Sequence, residues 1–163
     1  NISDNSEQTE ENLTSEETSE SDNDDTSESI NTDVSQSEDS TSVSNYGIAT
    51  TASDADVEKF ASDVKDAVLS SDWNALGDMI SYPIKIGDNE IADKAAFVSL
   101  MQSSDVQAEF IKAMEDEDCT GLMANGQGIC MGSGEVWFLD MNYDGIEQKG
   151  NPDFKIITFN GII

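Results

Sequence analysis

The sequence predicts an α+β domain preceded by an acidic, unstructured segment, and three observations carry that reading. Residues 1–53 hold fourteen acids and no Lys or Arg, and most of the rest is Ser, Thr, Asn and Gln. From Asp54 the apolar residues return at helical spacing. From Cys119 onward, short β-rich runs alternate with Gly, Asn and Asp. Helices, a hairpin, more helices and then consecutive strands imply a curved antiparallel sheet packed against three to four helices over residues 54–163.

Within residues 1–53, the few apolar side chains (Ile2, Leu13, Ile30, Val34, Val43) follow neither a helical nor a strand period. Such a segment cannot bury enough apolar surface to offset its ordering entropy, so it is expected to be disordered. Like charges every few residues favour extension, which suits a tether.

Ser53 reads as an N-cap, with Asp54 and Asp56 complementing the positive end of a helix. Val57, Phe60, Ala61, Val64, Ala67 and Val68 mark one face of that helix, expected over 54–70. Ser71-Asp72 caps a second, short helix that Tyr82-Pro83 ends, because Pro disfavours helical geometry in the residue before it. Gly87-Asp88-Asn89 forms the turn of a β-hairpin between Pro83–Ile86 and Glu90-Ile91. Asp93 caps a third helix, and Ser104-Asp105 is expected to open a fourth. Strands are expected at 121–124, 128–132, 134–141 and 153–163, with Asn125-Gly126 as the first turn.

Composition excludes several functions. Acids outnumber bases thirty-five to seven, for a net charge of −28, and every base is Lys. That balance repels nucleic acid and anionic headgroups, which are bound through Lys and Arg. The absence of His removes the commonest general base near neutral pH, and with it Ser-His-Asp and Cys-His catalysis within the chain. The absence of Arg removes the planar fork for bidentate anion capture. No apolar run approaches the roughly 20 residues of a transmembrane span. The chain opens at Asn1 rather than Met. This suggests a removed signal peptide and a lipid anchor upstream of Asn1.

Several stretches resemble the NTF2-like superfamily, particularly its small bacterial extracellular members. They are Ile80-Ser81-Tyr82-Pro83-Ile84 after paired helices and Ile91-Ala92-Asp93-Lys94-Ala95-Ala96-Phe97 opening the next helix. Asn125-Gly126-Gln127-Gly128, Met131-Gly132-Ser133-Gly134-Glu135-Val136-Trp137-Phe138 and Lys155-Ile156-Ile157 continue the pattern. The resemblance implies a cone, in which a strongly bent sheet wraps its helices and leaves a cavity at the open end. It also implies a sheet face on which homodimers form. The family hosts isomerases, dehydratases and binding modules, so the fold does not supply a function. The dehydratase-like members rely on a His that this chain lacks.

Three groups of residues stand out. Tyr82, Glu135 and Trp137 are candidates for lining a cone pocket, an aromatic wall with one carboxylate suiting a small ligand; core packing is the alternative reading of the aromatics. Asp140-Met141-Asn142-Tyr143-Asp144-Gly145 resembles the start of an EF-hand loop, with Asp140, Asn142 and Asp144 as calcium ligands. Against that, the twelfth position is Asn151 rather than Glu and the flanks read as strands; the alternative is a hairpin loop turning at Asp144-Gly145. Cys119 and Cys130 straddle the Asn125-Gly126 turn, so either a disulfide between facing strands or two reduced, buried thiols fits the spacing. The run Glu115-Asp116-Glu117-Asp118 sits where negative charge opposes a helix end, and reads as a solvated loop.

The leading expectation is a non-enzymatic binding or structural domain outside a Gram-positive cell, a surface-anchored lipoprotein that engages a small molecule or a protein. The rivals are an isomerase or lyase using a buried carboxylate, and an oligomerisation module.

Overall fold

The structure is a computed structural model and describes residues 44–163. The disorder expected for residues 1–43 lies outside the described residues. Four helices and six strands follow in the order α1 (Asp54–Leu69), α2 (Trp73–Asp78), β1 (Ile84–Ile86), β2 (Asn89–Ile91), α3 (Lys94–Ser103), α4 (Ala108–Asp116), β3 (Met123–Asn125), β4 (Gly128–Met131), β5 (Val136–Asp140) and β6 (Phe154–Phe159). β1 and β2 form an antiparallel hairpin. β3 to β6 form a four-stranded antiparallel meander in sequence order. The α+β class expected from the sequence is what the chain adopts.

Local chemistry sets the helix starts. Ser53 Oγ accepts the Asp56 N–H, Asp72 accepts that of Ala75, and Asp93 that of Ala96. Each satisfies one of the donors orphaned at a helix N-terminus. The α1 stripe Val57, Ala61, Val64, Ala67 and Val68 is buried as its spacing predicts. α4 departs from expectation. It begins at Ala108 rather than at Ser104-Asp105, and its N-cap Gln107 makes no side-chain bond. Instead Gln107 N–H donates to the Ile162 carbonyl, a contact across the fold. The acidic run at its far end is tolerated because Lys65, from α1, donates to the carbonyls of Glu115 and Glu117.

The strands are shorter than the sequence suggested. Cys119 and Gly121 take positive φ of 63° and 57°, delaying β3 to Met123. Gly132 and Gly134 (φ 65° and 123°) hold a turn that delays β5 to Val136. β6 ends at Phe159, before Gly161 at φ 72°. On the inner face Ala124, Ile129, Phe138 and Ile156 lie in one cross-strand row, and Met131, Val136 and Phe159 in another. Phe60, Phe138 and Phe154 form a ring cluster with centroids 5.0 to 5.9 Å apart. Phe159 packs against Phe97 and Phe110. A register shift at Trp137/Phe138 marks a bulge against β6, a feature that bends a strand. Met79 to Ser81 cover the outer edge of β6 by bonding both main-chain groups of Ile156.

The domain begins earlier than residue 54. Residues 44–52 form a strap across it, with Tyr46 and Thr50 both 0 % exposed and Ala49 and Ala52 buried. The Tyr46 hydroxyl donates to Glu58 Oε1 (3.1 Å) and accepts the Leu122 N–H (3.0 Å). The domain expected to begin at 54 therefore includes residues 44–52, because a buried aromatic and its hydrogen bonds belong to the core. Tyr46→Ala is expected to lower unfolding free energy by about 3 kcal/mol, from lost burial plus two orphaned partners. Urea denaturation checks this; an unchanged midpoint would restore the boundary at 53.

Candidate functional site

Strand β5 separates two environments. Val136, Phe138 and Asp140 point into the domain and are buried, while Trp137 and Leu139 point outward and are half-buried. The pairing registers extend the outward set across all four strands. Met123 faces Cys130, Cys130 faces Trp137, and Trp137 faces Thr158. Directly opposed residues project from the same sheet face, so these four form one cross-strand row with no ionisable carboxylate or amine in it. Met123 is 56 % exposed at its free end. Leu139 lies over Gly128, where an added Cβ would sit 3.1 Å from a Leu139 methyl, so glycine gives this face its close packing.

The expected pocket is not assembled. Tyr82 lies against α2, its hydroxyl donating to the Gly77 carbonyl (3.0 Å). Burial, then the nearby Asp78 and Asp93, push that hydroxyl up to about 12, which keeps it neutral. Glu135 sits in the β4–β5 turn and accepts the Ser133 N–H. Trp137 is on the outer face, so the alternation runs opposite to a wall facing the interior. The Phe rings fill the interior that a cone cavity requires. A cleft of about 520 Å³ runs between α4 and the β4–β5 turn, lined by Glu109, Lys112, Asp116, Glu117, Gly132 and Ser133.

The calcium reading meets a different use of the same loop. Asp140 is 2 % exposed and accepts from Thr50 Oγ1 (2.7 Å), Asn142 N–H (3.0 Å) and Asp153 N–H (3.0 Å). Asn142 Nδ2 donates to the Asn151 carbonyl, and Asp144 accepts the N–H groups of Ile146 and Glu147 and pairs with Lys149 (2.8 Å). Asp140 and Asp144 thus accept from separate protein donors, while the Asn142 amide nitrogen holds the Asn151 carbonyl. Among the described residues no three acidic or thiol groups gather into a cation site. The hairpin-loop alternative describes the geometry: Gly145 has φ 90° and Tyr143 bridges Gln148 across the loop.

The disulfide expectation is corrected as well. Both cysteines are free and buried. Cys130 faces Met123 in the register, whereas Cys119 lies in the turn before β3, so the pair never faces across the hairpin. Burial pushes both thiols up, with Glu117 adding to each, so neither is a ready nucleophile.

Sequence reasoning missed the strap residues Thr50, which reaches Asp140, and Tyr46, which ties α1 to Leu122. A signal was present: no acid falls between Asp39 and Asp54, and Tyr46 is the first aromatic in the chain. Among the described residues no helix is long and apolar enough to cross a membrane. Comparison with family models, curated proteins and solved structures finds no match to this chain.

Acid should weaken the domain through these carboxylates. Burial raises the Asp140 carboxyl, but the donors Asp153 N–H, Thr50 and Asn142 N–H outweigh it and leave it below its ordinary value. Lys149, then the Glu147 and Ile146 N–H groups, lower Asp144 to about 2. A depressed carboxyl stabilises the fold above its unfolded value of about 4 and loses that contribution as pH falls through the folded value. Melting temperature should therefore decline between about pH 4 and 2. Asp140→Asn should cost about 1–3 kcal/mol at neutral pH and flatten that decline. An acid profile identical to that of the parent would contradict the role given to Asp140. Separately, a thiol reagent at neutral pH should leave the folded chain unlabelled and modify both cysteines after denaturation; cysteines that stay unlabelled in denaturant until reductant is added would restore the disulfide.

Proposed function

We infer that this chain is a non-enzymatic binding or structural domain, displayed outside a bacterial cell on its acidic N-terminal segment and anchored there as a lipoprotein. The observation that carries the binding part is the uncharged outer row Met123–Cys130–Trp137–Thr158. In a chain of net charge −28, that row offers another macromolecule an apolar strip, with Glu135 beside Cys130 and Lys155 opposite Leu139 as its charged flanks. Trp at the centre of such a row is the residue type that anchors interfaces. The anchoring part rests on composition, since fourteen acids and no Lys or Arg over residues 1–53 suit a repulsive, extended spacer. The order of helices, hairpin, helices and meander supports membership of the NTF2-like superfamily, with the Phe-filled interior in place of an open cone.

An isomerase or lyase of that superfamily needs a desolvated carboxylate facing a cavity. Asp140, the buried carboxylate, has its oxygens engaged by three protein donors, which favours the binding reading. The same uncharged row also supports a homodimer through the sheet, because an isologous contact sets one patch against its own copy and this row brings no like charges together.

A photo-crosslinking side chain at position 139 of the full chain, expressed in its native host, tests the reading. It should give one discrete adduct, while the same probe at position 90, on the hairpin, gives none. An adduct of twice the chain mass identifies the homodimer. Equal labelling from both positions, or a full-length protein that fractionates as soluble cytosol, ends the proposal.

A further inference from the structure

Residues 44–52 attach to the domain differently from every strand behind them. Their main-chain-to-main-chain hydrogen bonds run only to one another: Gly47 N–H to the Ser44 carbonyl, and Ala49 and Thr50 N–H to the Tyr46 carbonyl. The Gly47 carbonyl also accepts from the Tyr143 hydroxyl (3.5 Å). Each hydrogen bond described between this strap and the rest of the domain involves a side chain. The Asp54 carboxylate holds Ser44 and Asn45. The Tyr46 hydroxyl bridges Glu58 on α1 and the Leu122 N–H ahead of β3. Thr50 Oγ1 reaches Asp140, and Thr51 Oγ1 reaches Gln148 Oε1 (3.1 Å). The strands, by contrast, are zipped by continuous antiparallel pairing from β3 through β6.

Opening the strap removes one large side chain from the core, Tyr46, together with the small Ala49 and Ala52. The Phe60–Phe138–Phe154 cluster keeps its own contacts. Asp140 loses Thr50 but keeps the Asn142 and Asp153 N–H groups, so the loop after β5 retains its tie. A segment with few buried contacts and no ladder opens at lower free energy than the sheet it covers.

We propose that residues 44–52 are a latch that opens as one unit while the domain behind stays folded, uncovering the slot between α1 and the start of β3 that Tyr46 fills. The latch joins residues 1–43 to α1, so a pull or a partner acting on that N-terminal segment reaches the latch before the sheet. The proposal rests on the strap geometry and does not require the surface-display reading.

Hydrogen exchange followed by NMR on the full 163-residue chain tests it. The reporter is the Leu122 amide, whose described acceptor is Tyr46 Oη. It should exchange at least about 100-fold faster than the slowest amides of β4 and β5. Thr50→Val should speed Leu122 exchange by about tenfold although Thr50 does not bond to Leu122, and should leave the β4 and β5 amides unchanged. A Leu122 amide that exchanges no faster than the sheet would mean the strap opens only with global unfolding, overturning the proposal. A Leu122 rate untouched by Thr50→Val would also overturn it, by showing that the strap does not move as a unit. If that variant does not fold, the parent comparison alone decides.

Discussion

Two residues of one strand, Phe138 and Trp137, face opposite ways, and most of the architecture follows from that. β5 is an inner strand, paired with β4 on one side and β6 on the other. Its inward residues build the interior: Val136 and Phe138 complete the apolar rows, and Asp140 receives the strap through Thr50. Its outward residues, Trp137 and Leu139, place a half-buried apolar strip on the sheet's other face. Because side chains alternate strictly along a strand, reversing β5 would bury Trp137, expel Phe138 from the ring cluster and orphan Asp140 together.

The second constraint is charge. With seven Lys against thirty-five acids, the chain cannot neutralise its carboxylates by ion pairing. The folded domain instead turns many of them onto backbone donors. Asp72 and Asp93 cap helices, Asp118 and Asp144 close their own turns, and Glu117 and Glu135 hold the Gly132-Ser133 segment. A carboxylate accepting a main-chain N–H keeps its charge while satisfying a donor that water would otherwise serve. This explains how the acidic run after α4 is used: Glu117 spans from the Cys119 N–H to the Gly132 N–H, tying a helix end to a strand turn. The same economy bears on the D-x-N-x-D-G loop. Its two carboxylates meet Thr50, Lys149 and main-chain amides, so each acid of the loop serves protein donors.

How far the fold was legible varies with the range of the interactions. Ser53, Asp72 and Asp93 each act within three residues of their partners, so the starts of α1, α2 and α3 could be read directly. The β1–β2 hairpin is as local, closed by Gly87-Asp88 between Ile86 and Asn89. The start of α4 could not be read, because a bond from Gln107 to Ile162 sets it. The strap was assigned to the acidic segment for the same reason: Tyr46 finds Leu122, and Thr50 finds Asp140, only when the sheet exists.

The chain by itself determined the α+β class, the helical stripe of α1, the alternation of β5 and the exclusion of His- and Arg-based chemistry, since each depends on neighbours a few residues apart or on composition alone. Tertiary structure decided which face of β5 turns inward, that Cys119 and Cys130 do not meet, and that Asp140 serves a strap. Alternation fixes that two faces exist, but which of them is buried depends on the rings and helices that arrive from distant parts of the chain.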